Sequence, residues 1–160
     1  MKKVFLSGVM LFALVFSAKA QDISKNALGL RFGSDNGFKG EISYQRGLLK
    51  NNRLELDLGW RKSNNNEDAI KLAAIYQWVW KIDGGFHWYA GVGGGLGSWN
   101  NTNNNSKGTF VFAAGDIGIE YSFKEAPILL SLDYRPEFGG NGYYENNYGS
   151  DIALAVRYKF

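Results

Sequence analysis

His87 is the only histidine, and histidine is the residue type most often used as a general base near neutral pH. It lies in the segment HWYAG, residues 87–91. A lone histidine in such a segment is more often one member of a polar network than a catalytic base. We therefore interpret His87 as a structural polar residue and predict that the protein is not an enzyme.

Two further motifs could in principle hold a ligand. The glycine run GVGGGLG, residues 91–97, lacks the spacing of a phosphate-binding loop, and no helical pattern follows it. Its glycines allow a strand to bend and leave room for large neighbours such as Tyr89. The run NNNED, residues 64–68, offers oxygen ligands to calcium, but it does not match an EF-hand loop and suits a solvated hairpin tip.

The composition excludes several other classes of site. There is no cysteine, so disulfides and cysteine-based zinc sites cannot form. The net charge of +3 does not indicate nucleic-acid binding. The Asn-x-Ser/Thr matches at Asn100 and Asn104 indicate exposed loops at most. We predict no cofactor and no bound metal.

A period of two residues in hydrophobicity predicts the elements that must position these groups. The clearest run is RLELDLGWR, residues 53–61, in which leucines and a tryptophan alternate with charged residues. The high aromatic content, with many glycines and few prolines, also favours strands. The same alternation predicts eight strands, at residues 27–33, 38–46, 53–61, 69–80, 86–98, 109–123, 128–135 and 152–160.

The connections suggest the topology. Tight turns are predicted after the second, fourth and sixth strands, and mostly longer, Asn-rich loops elsewhere, the longest at residues 136–147. In the sixth strand Phe110 and Phe112 fall on the polar phase, so we expect a bulge or a later start there. Because no later segment has a helical period or eighteen continuous apolar residues, the predicted fold is all-β: an eight-stranded antiparallel up-and-down transmembrane β-barrel.

The two faces of the strands differ enough to assign inside and outside. Eight strands leave an interior only just wide enough for side chains. The leucine-rich and aromatic face is too bulky for that space, whereas the other face combines small residues with charges of both signs. We therefore place the apolar face outward and an interior polar network inward. This network comprises Arg31, Glu41, Arg53, Glu55, Asp57, Arg61, Lys71, Asp116, Glu120, Asp133, Arg135, Asp151, Arg157 and Lys159.

Residues 1–20 are predicted to be a signal peptide. Lys2 and Lys3 precede an apolar run of residues 4–16, and Ala18-Lys19-Ala20 fits a cleavage site. We expect cleavage after Ala20 and a single barrel domain at residues 21–160. A soluble lipocalin-like barrel in the periplasm or outside the cell is the alternative that we disfavour.

With these features in place, the chain resembles the small eight-stranded bacterial outer-membrane barrels of the OmpA, OmpX and OmpW kind, in the porin family with an outer-membrane β-barrel domain. The terminal segment VRYKF, with Val156, Tyr158 and Phe160, is similar to the outer-membrane insertion signal of that group. The resemblance implies contact with outer-membrane lipid, and recognition by periplasmic chaperones and the barrel-assembly machinery.

The resemblance leaves three functions open. A structural or surface-interaction role is the main prediction, with external loops that display groups such as Tyr143 and Tyr144 and an interior plugged by paired charges. A small solute channel is the alternative. Lipid-modifying outer-membrane enzymes of eight strands imply a His and a Ser near the outer leaflet. His87 is predicted near the opposite end, and HWYAG has no serine two residues after the histidine.

Overall fold

The computed structural model describes residues 23–33, 40–62, 67–102, 105–140 and 148–160. Several sequence predictions lie outside these ranges: the signal peptide, the asparagines of NNNED, Asn104, and the Tyr143-Tyr144 pair. No helix long and apolar enough to cross a membrane occurs in the described ranges.

Eight antiparallel strands form one closed barrel in which each strand pairs with its neighbours in sequence, and β1 pairs with β8. The predicted fold class is therefore confirmed. The strands are β1 (Asn26–Gly33), β2 (Glu41–Leu49), β3 (Asn52–Lys62), β4 (Glu67–Asp83), β5 (Phe86–Asn101), β6 (Ser106–Ser122), β7 (Ile128–Gly139) and β8 (Tyr148–Lys159).

The ring closes where the last strand meets the first. Ala27 lies opposite Lys159, and the pairing continues to Gly33 opposite Ala153. Beyond the ladder, the backbone N–H of Asn26 donates to the carbonyl of Phe160 at 3.2 Å, and the N–H of Phe160 donates back at 3.0 Å. Both edge strands thus lose their unpaired edges, which would otherwise be open to pairing with other chains.

The connections distinguish the two ends of the barrel. One end, the turn end, carries the two-residue turns at residues 50–51 and 84–85, the connection at 123–127, and Phe160. Gly84 has φ of +66°, which suits glycine in the tight turn between β4 and β5. The opposite end, the loop end, carries the four remaining connections. The tight turns predicted after the second and fourth strands are confirmed. The predicted difference in length is wrong at the sixth strand, because its connection spans five residues whereas those after β3 and β5 span four each.

Strand β7 corrects one boundary. The predicted loop at residues 136–147 is wrong at its start, because β7 continues through Pro136 to Gly139. Pro136 pairs with Ser150 of β8, while the ladder to β6 is interrupted between Tyr134 and Glu137. A proline removes one backbone donor, so it weakens one side of a strand without ending it.

Strand β6 corrects a second prediction. It begins at Ser106 and keeps one continuous register with β5, so neither the bulge nor the later start is present. Phe110 and Phe112 point into the barrel and are buried. A Cβ on Gly97 would lie 2.6 Å from Cε1 of Phe110, and one on Gly95 would lie 2.6 Å from Cζ of Phe112. The glycines of β5 make room for these rings, rather than for Tyr89.

Candidate functional site

The inward-facing side chains form a buried, charged interior. Most of the predicted network residues are buried, and Glu137 joins them. Among the described residues, the buried carboxylates are Glu41, Glu55, Asp57, Asp116, Glu120, Asp133, Glu137 and Asp151, and the buried cations are Arg31, Arg53, Lys71, Arg135 and Arg157. The carboxylates outnumber the cations, so single cations must serve several acids.

Arg31 shows this sharing near the loop end. Its Nη1 contacts Oε2 of Glu41 and Oδ2 of Asp151, each at 2.9 Å. Its Nε and Nη2 donate to Asp133 on the far strand β7. Three acids from three strands therefore share one guanidinium, whose planar fork allows several directed hydrogen bonds at once.

Arg135 holds a second group of acids. Its Nη1 lies 2.6 Å from Oδ2 of Asp57, and its Nη2 lies 2.6 Å from Oε1 of Glu55. Asp116 lies farther away, at 3.7 Å. Arg157 contacts the other oxygen of Glu55 at 3.0 Å, so this carboxylate joins two arginines.

Arg53 extends the network toward the turn end. Its Nη1 lies 2.7 Å from Oε2 of Glu120, and its Nε donates to Oε1 of Gln77 at 2.6 Å. Gln77 in turn donates to Asp116. The guanidinium of Arg53 also lies 4.8 Å from the ring centroid of Tyr89, a cation–π contact.

Lys71 connects the network to a residue that the sequence analysis missed. Its Nζ lies 3.1 Å from Oε1 of Glu41 and 2.9 Å from Oε1 of Glu137. Glu137 was placed in a loop because Pro136 precedes it. Asp133, Arg135 and Glu137 are spaced two residues apart in β7. Continuing this alternation past Pro136 would have predicted that Glu137 faces the interior.

Two predicted members differ from the others in position. Arg61 and Lys159 are only half-buried, at the loop end and the turn end respectively. Lys159 donates to Oγ of Ser122 at 2.6 Å and to the carbonyl of Phe123 at 3.0 Å. These two cations lie at the mouths of the barrel rather than in its centre.

His87 lies at the turn end of β5 with its side chain inside the barrel, where the sequence predicted it. It faces Lys81 of β4 and Glu120 of β6 in the register. Within the described residues neither of its ring nitrogens has a hydrogen-bond partner. No cluster of three or more metal-ligating side chains occurs in that same part of the chain.

One sector of the interior is apolar, which the sequence analysis did not predict. It lies on β4 and β6 and contains Ala73, Ile75, Phe110, Phe112 and Ala114, with Trp99 packed against it. The ammonium of Lys71 lies 5.7 Å from the ring centroid of Phe112, at the border between the two sectors. The described interior therefore has ion pairs in one sector and aromatic rings in the other.

The exterior has the opposite character. Large apolar side chains are exposed on all eight strands, among them Leu30, Ile42, Leu58, Leu72, Val92, Ile119, Leu132 and Leu154. Aromatic residues lie toward the strand ends. At the turn end Trp80 and Trp88 stack with ring centroids 4.3 Å apart, and near the loop end the hydroxyls of Tyr134 and Tyr148 lie 2.7 Å apart.

A closed ring of eight antiparallel strands, apolar outside and charged inside, is the fold of the small transmembrane β-barrels. Several solved structures share it. The N-terminal β-barrel domain of Pseudomonas aeruginosa OprF is 16% identical and aligns with a TM-score of 0.64 over 86% of this chain and 98% of that one. The Neisserial surface protein A is 15% identical, with a TM-score of 0.61 over 84% and 94%.

A third is Ail, the attachment invasion locus protein of Yersinia pestis. It is 12% identical and aligns with a TM-score of 0.56 over 86% of this chain and 97% of that one. At such identities the likeness establishes the fold. No protein-family model matches the chain, and no curated protein matches it at a significant level.

Removing the Arg135 guanidinium is expected to destabilise the barrel strongly. Arg135→Leu leaves Asp57 and part of Glu55 without their cation, and stranding buried charges costs about 3–5 kcal/mol. The free energy of unfolding, measured by urea titration in detergent micelles, reports the loss.

Arg46→Leu is the matched control. Arg46 is exposed and donates to Asn26 at 2.7 Å, so its removal should change the free energy of unfolding by at most about 1 kcal/mol. Equal losses in the two variants would contradict a stabilising role for the interior network.

Proposed function

We propose that this chain is an integral outer-membrane β-barrel with a structural or surface-interaction role. The observation that carries the proposal is the inversion of polarity between its two faces. A soluble antiparallel barrel directs its apolar face inward and its charged face toward water. Here the ion pairs are buried, and the exterior is a continuous apolar surface on all eight strands.

A lipid environment accounts for this surface. Monomeric soluble proteins rarely expose apolar patches larger than a few hundred Å², whereas a transmembrane barrel presents an apolar band with aromatic residues toward both interfaces. The fold shared with outer-membrane proteins supports the same location.

A charge placed on the exterior should be costly at mid-height and tolerated at the end of a strand. Leu154 is exposed near the middle of β8, opposite Leu132 and Phe32. Leu48 is exposed beside the tight turn after β2. In lipid vesicles Leu154→Arg should lower the free energy of unfolding by about 2–4 kcal/mol, and Leu48→Arg by about 0–1 kcal/mol. Equal losses of unfolding free energy in the two variants would argue against an apolar band embedded in the membrane.

The interior supports a closed barrel over an open channel. Cross-linked ion pairs fill the charged sector, and Phe110 and Phe112 fill the other. We infer that the barrel serves as a rigid anchor for its loops, which can contact partners outside the cell. The names of Neisserial surface protein A and of the attachment invasion locus protein agree with a surface role for barrels of this fold.

Recording from the purified protein in a planar lipid bilayer tests the closed interior. We expect no steady conductance steps, because an eight-stranded barrel with a filled interior has no continuous water path. Reproducible steps of one size would favour the alternative of a small solute channel.

We do not propose an enzymatic activity. His87 is buried at the turn end beside the two-residue turn at 84–85, with Lys81 and Glu120 as its cross-strand neighbours. The carboxylate of Glu120 contacts Arg53. This position, at the turn end and without a hydrogen-bond partner among the described residues, does not support a catalytic base near the loop end.

The proposed location also requires export and assembly. We propose that residues 1–20 are removed after Ala20, which N-terminal sequencing of the purified protein would detect as a start at Gln21. Val156, Tyr158 and Phe160 are exposed on the exterior of the closing strand and its end. Their apolar row on the closing strand agrees with the proposed insertion signal.

Deleting Phe160 should impair assembly in cells. The amount of heat-modifiable, folded protein in the outer-membrane fraction is expected to fall several-fold, whereas refolding of the purified variant into detergent should change little. Phe123→Ala removes another exposed aromatic ring near the turn end and serves as the control. Normal cellular assembly without Phe160 would contradict the proposed signal.

A further inference from the structure

A cavity of about 700 Å³ lies at the loop end, between β3, β4, β5 and β6. The register aligns part of its lining in two cross-strand rows on the outer face. The row nearer the barrel centre runs from Trp60 to Ile70, Ser98 and Thr109. The row nearer the loops runs from Asp68 to Asn100 and Lys107.

Side-chain size explains why a concavity forms there. Trp60 and Ile70 are bulky and exposed, whereas Ser98 and Thr109, next to them in the same row, are small. Neighbouring strands lie about 4.8 Å apart. Two short side chains in succession therefore leave a groove about two strands wide, with Ile70 as one wall and two hydroxyl groups on its floor.

The polarity of the surroundings changes sharply across the cavity. On the side toward the barrel centre, Leu72, Leu96 and Val111 are exposed and form the next apolar row. On the side toward the loops, Asn100 and the cation Lys107 are exposed. The cavity thus lies across the boundary between the apolar band and the polar end of the barrel.

The charges at the polar edge favour an anion at one position. Asp68 and Lys107 belong to the same row but are separated by Asn100 on β5. Two strand spacings place their backbones about 9–10 Å apart, with Asn100 between them. Of the described residues that line the cavity, Lys107 is an exposed cation, and it lies two residues from Thr109 on β6, whereas Arg61 is half-buried.

We propose that this groove binds a phosphorylated membrane lipid, with an acyl chain on the apolar row of Leu72, Leu96 and Val111, the glycerol or sugar at Ser98 and Thr109, and the phosphate at Lys107. The inference rests on the proposed membrane location and adds a specific lipid site to it. The apolar row holds the chain, the hydroxyls accept or donate hydrogen bonds at the glycerol or sugar level, and Lys107 pairs with the phosphate.

Native mass spectrometry of the full barrel in detergent tests the proposal. Phosphatidylglycerol is added in one sample, and the diacylglycerol with the same acyl chains is added in another. The wild type should retain phosphatidylglycerol several-fold better than diacylglycerol. Lys107→Ala should weaken retention of phosphatidylglycerol about five-fold, as for the loss of one exposed ion pair. Ser98→Trp should fill the groove and weaken retention of both lipids.

Two control variants separate the site from general effects. Lys124→Ala removes an exposed cation at the turn end, and Ser150→Trp places the same large ring on the outer face of β8, near its loop end. Both should retain lipid as the wild type does. Heat-modifiable gel migration reports folding of each variant, and Thr109→Trp fills the groove from β6 if Ser98→Trp does not fold.

Three results would overturn the lipid site: wild-type retention in Lys107→Ala, wild-type retention in the groove-filling variant, or equal retention of the two lipids by the wild type. Failure of the membrane proposal itself would be seen separately: Leu154→Arg and Leu48→Arg would then lower the free energy of unfolding equally.

Discussion

Closing eight strands into a ring leaves an interior that side chains fill almost completely. The inward residues of this chain must therefore fit against one another across the barrel, and each buried charge must meet a partner there. Arg31 reaches Glu41, Asp133 and Asp151, and Arg135 reaches Asp57 and Glu55. These contacts tie β1, β2, β3, β7 and β8 together through the centre, in addition to the ladder around the wall.

The division of the interior into two sectors follows from the same limit on volume. Arg31 of β1 and Arg157 of β8 extend into the centre, where they reach acids on other strands. Opposite them, the glycines of β5 let the rings of Phe110 and Phe112 approach the wall closely. Apolar side chains need no partner of opposite charge. The five buried cations are therefore needed only for the acids in the rest of the interior.

The period-two pattern was sufficient to predict the strands and which face of each is polar, as RLELDLGWR in β3 illustrates. It failed where a local rule competed with the phase. Pro136 suggested a loop, although its missing N–H affects only the β6 side of β7. Glu137 follows Pro136, so it was assigned to the same loop and left out of the predicted interior network. Phe110 and Phe112 suggested a bulge because the sequence alone does not show which neighbouring strand has the glycines to receive them.

Partners across the barrel were also beyond the sequence. Arg31 and Asp133 are 102 residues apart, and whether they meet depends on the stagger of all the strands between them. The interior acidic and basic residues were predictable as a set, because the two-residue alternation of each strand places them on the inner face. The individual pairs were not, since a shift of two residues in one register would keep every face and change the partners across that register.

The bonds between Asn26 and Phe160 also have a consequence for how the barrel folds. They join groups 134 residues apart, so the closing ladder cannot form locally. Until β8 reaches β1, both edges stay open, and Arg31 lacks the aspartates that β7 and β8 supply. Much of the stabilisation therefore arrives in the final step, against a large loop-closure entropy. Folding of this kind is expected to be slow and highly cooperative, as for other topologies dominated by non-local contacts.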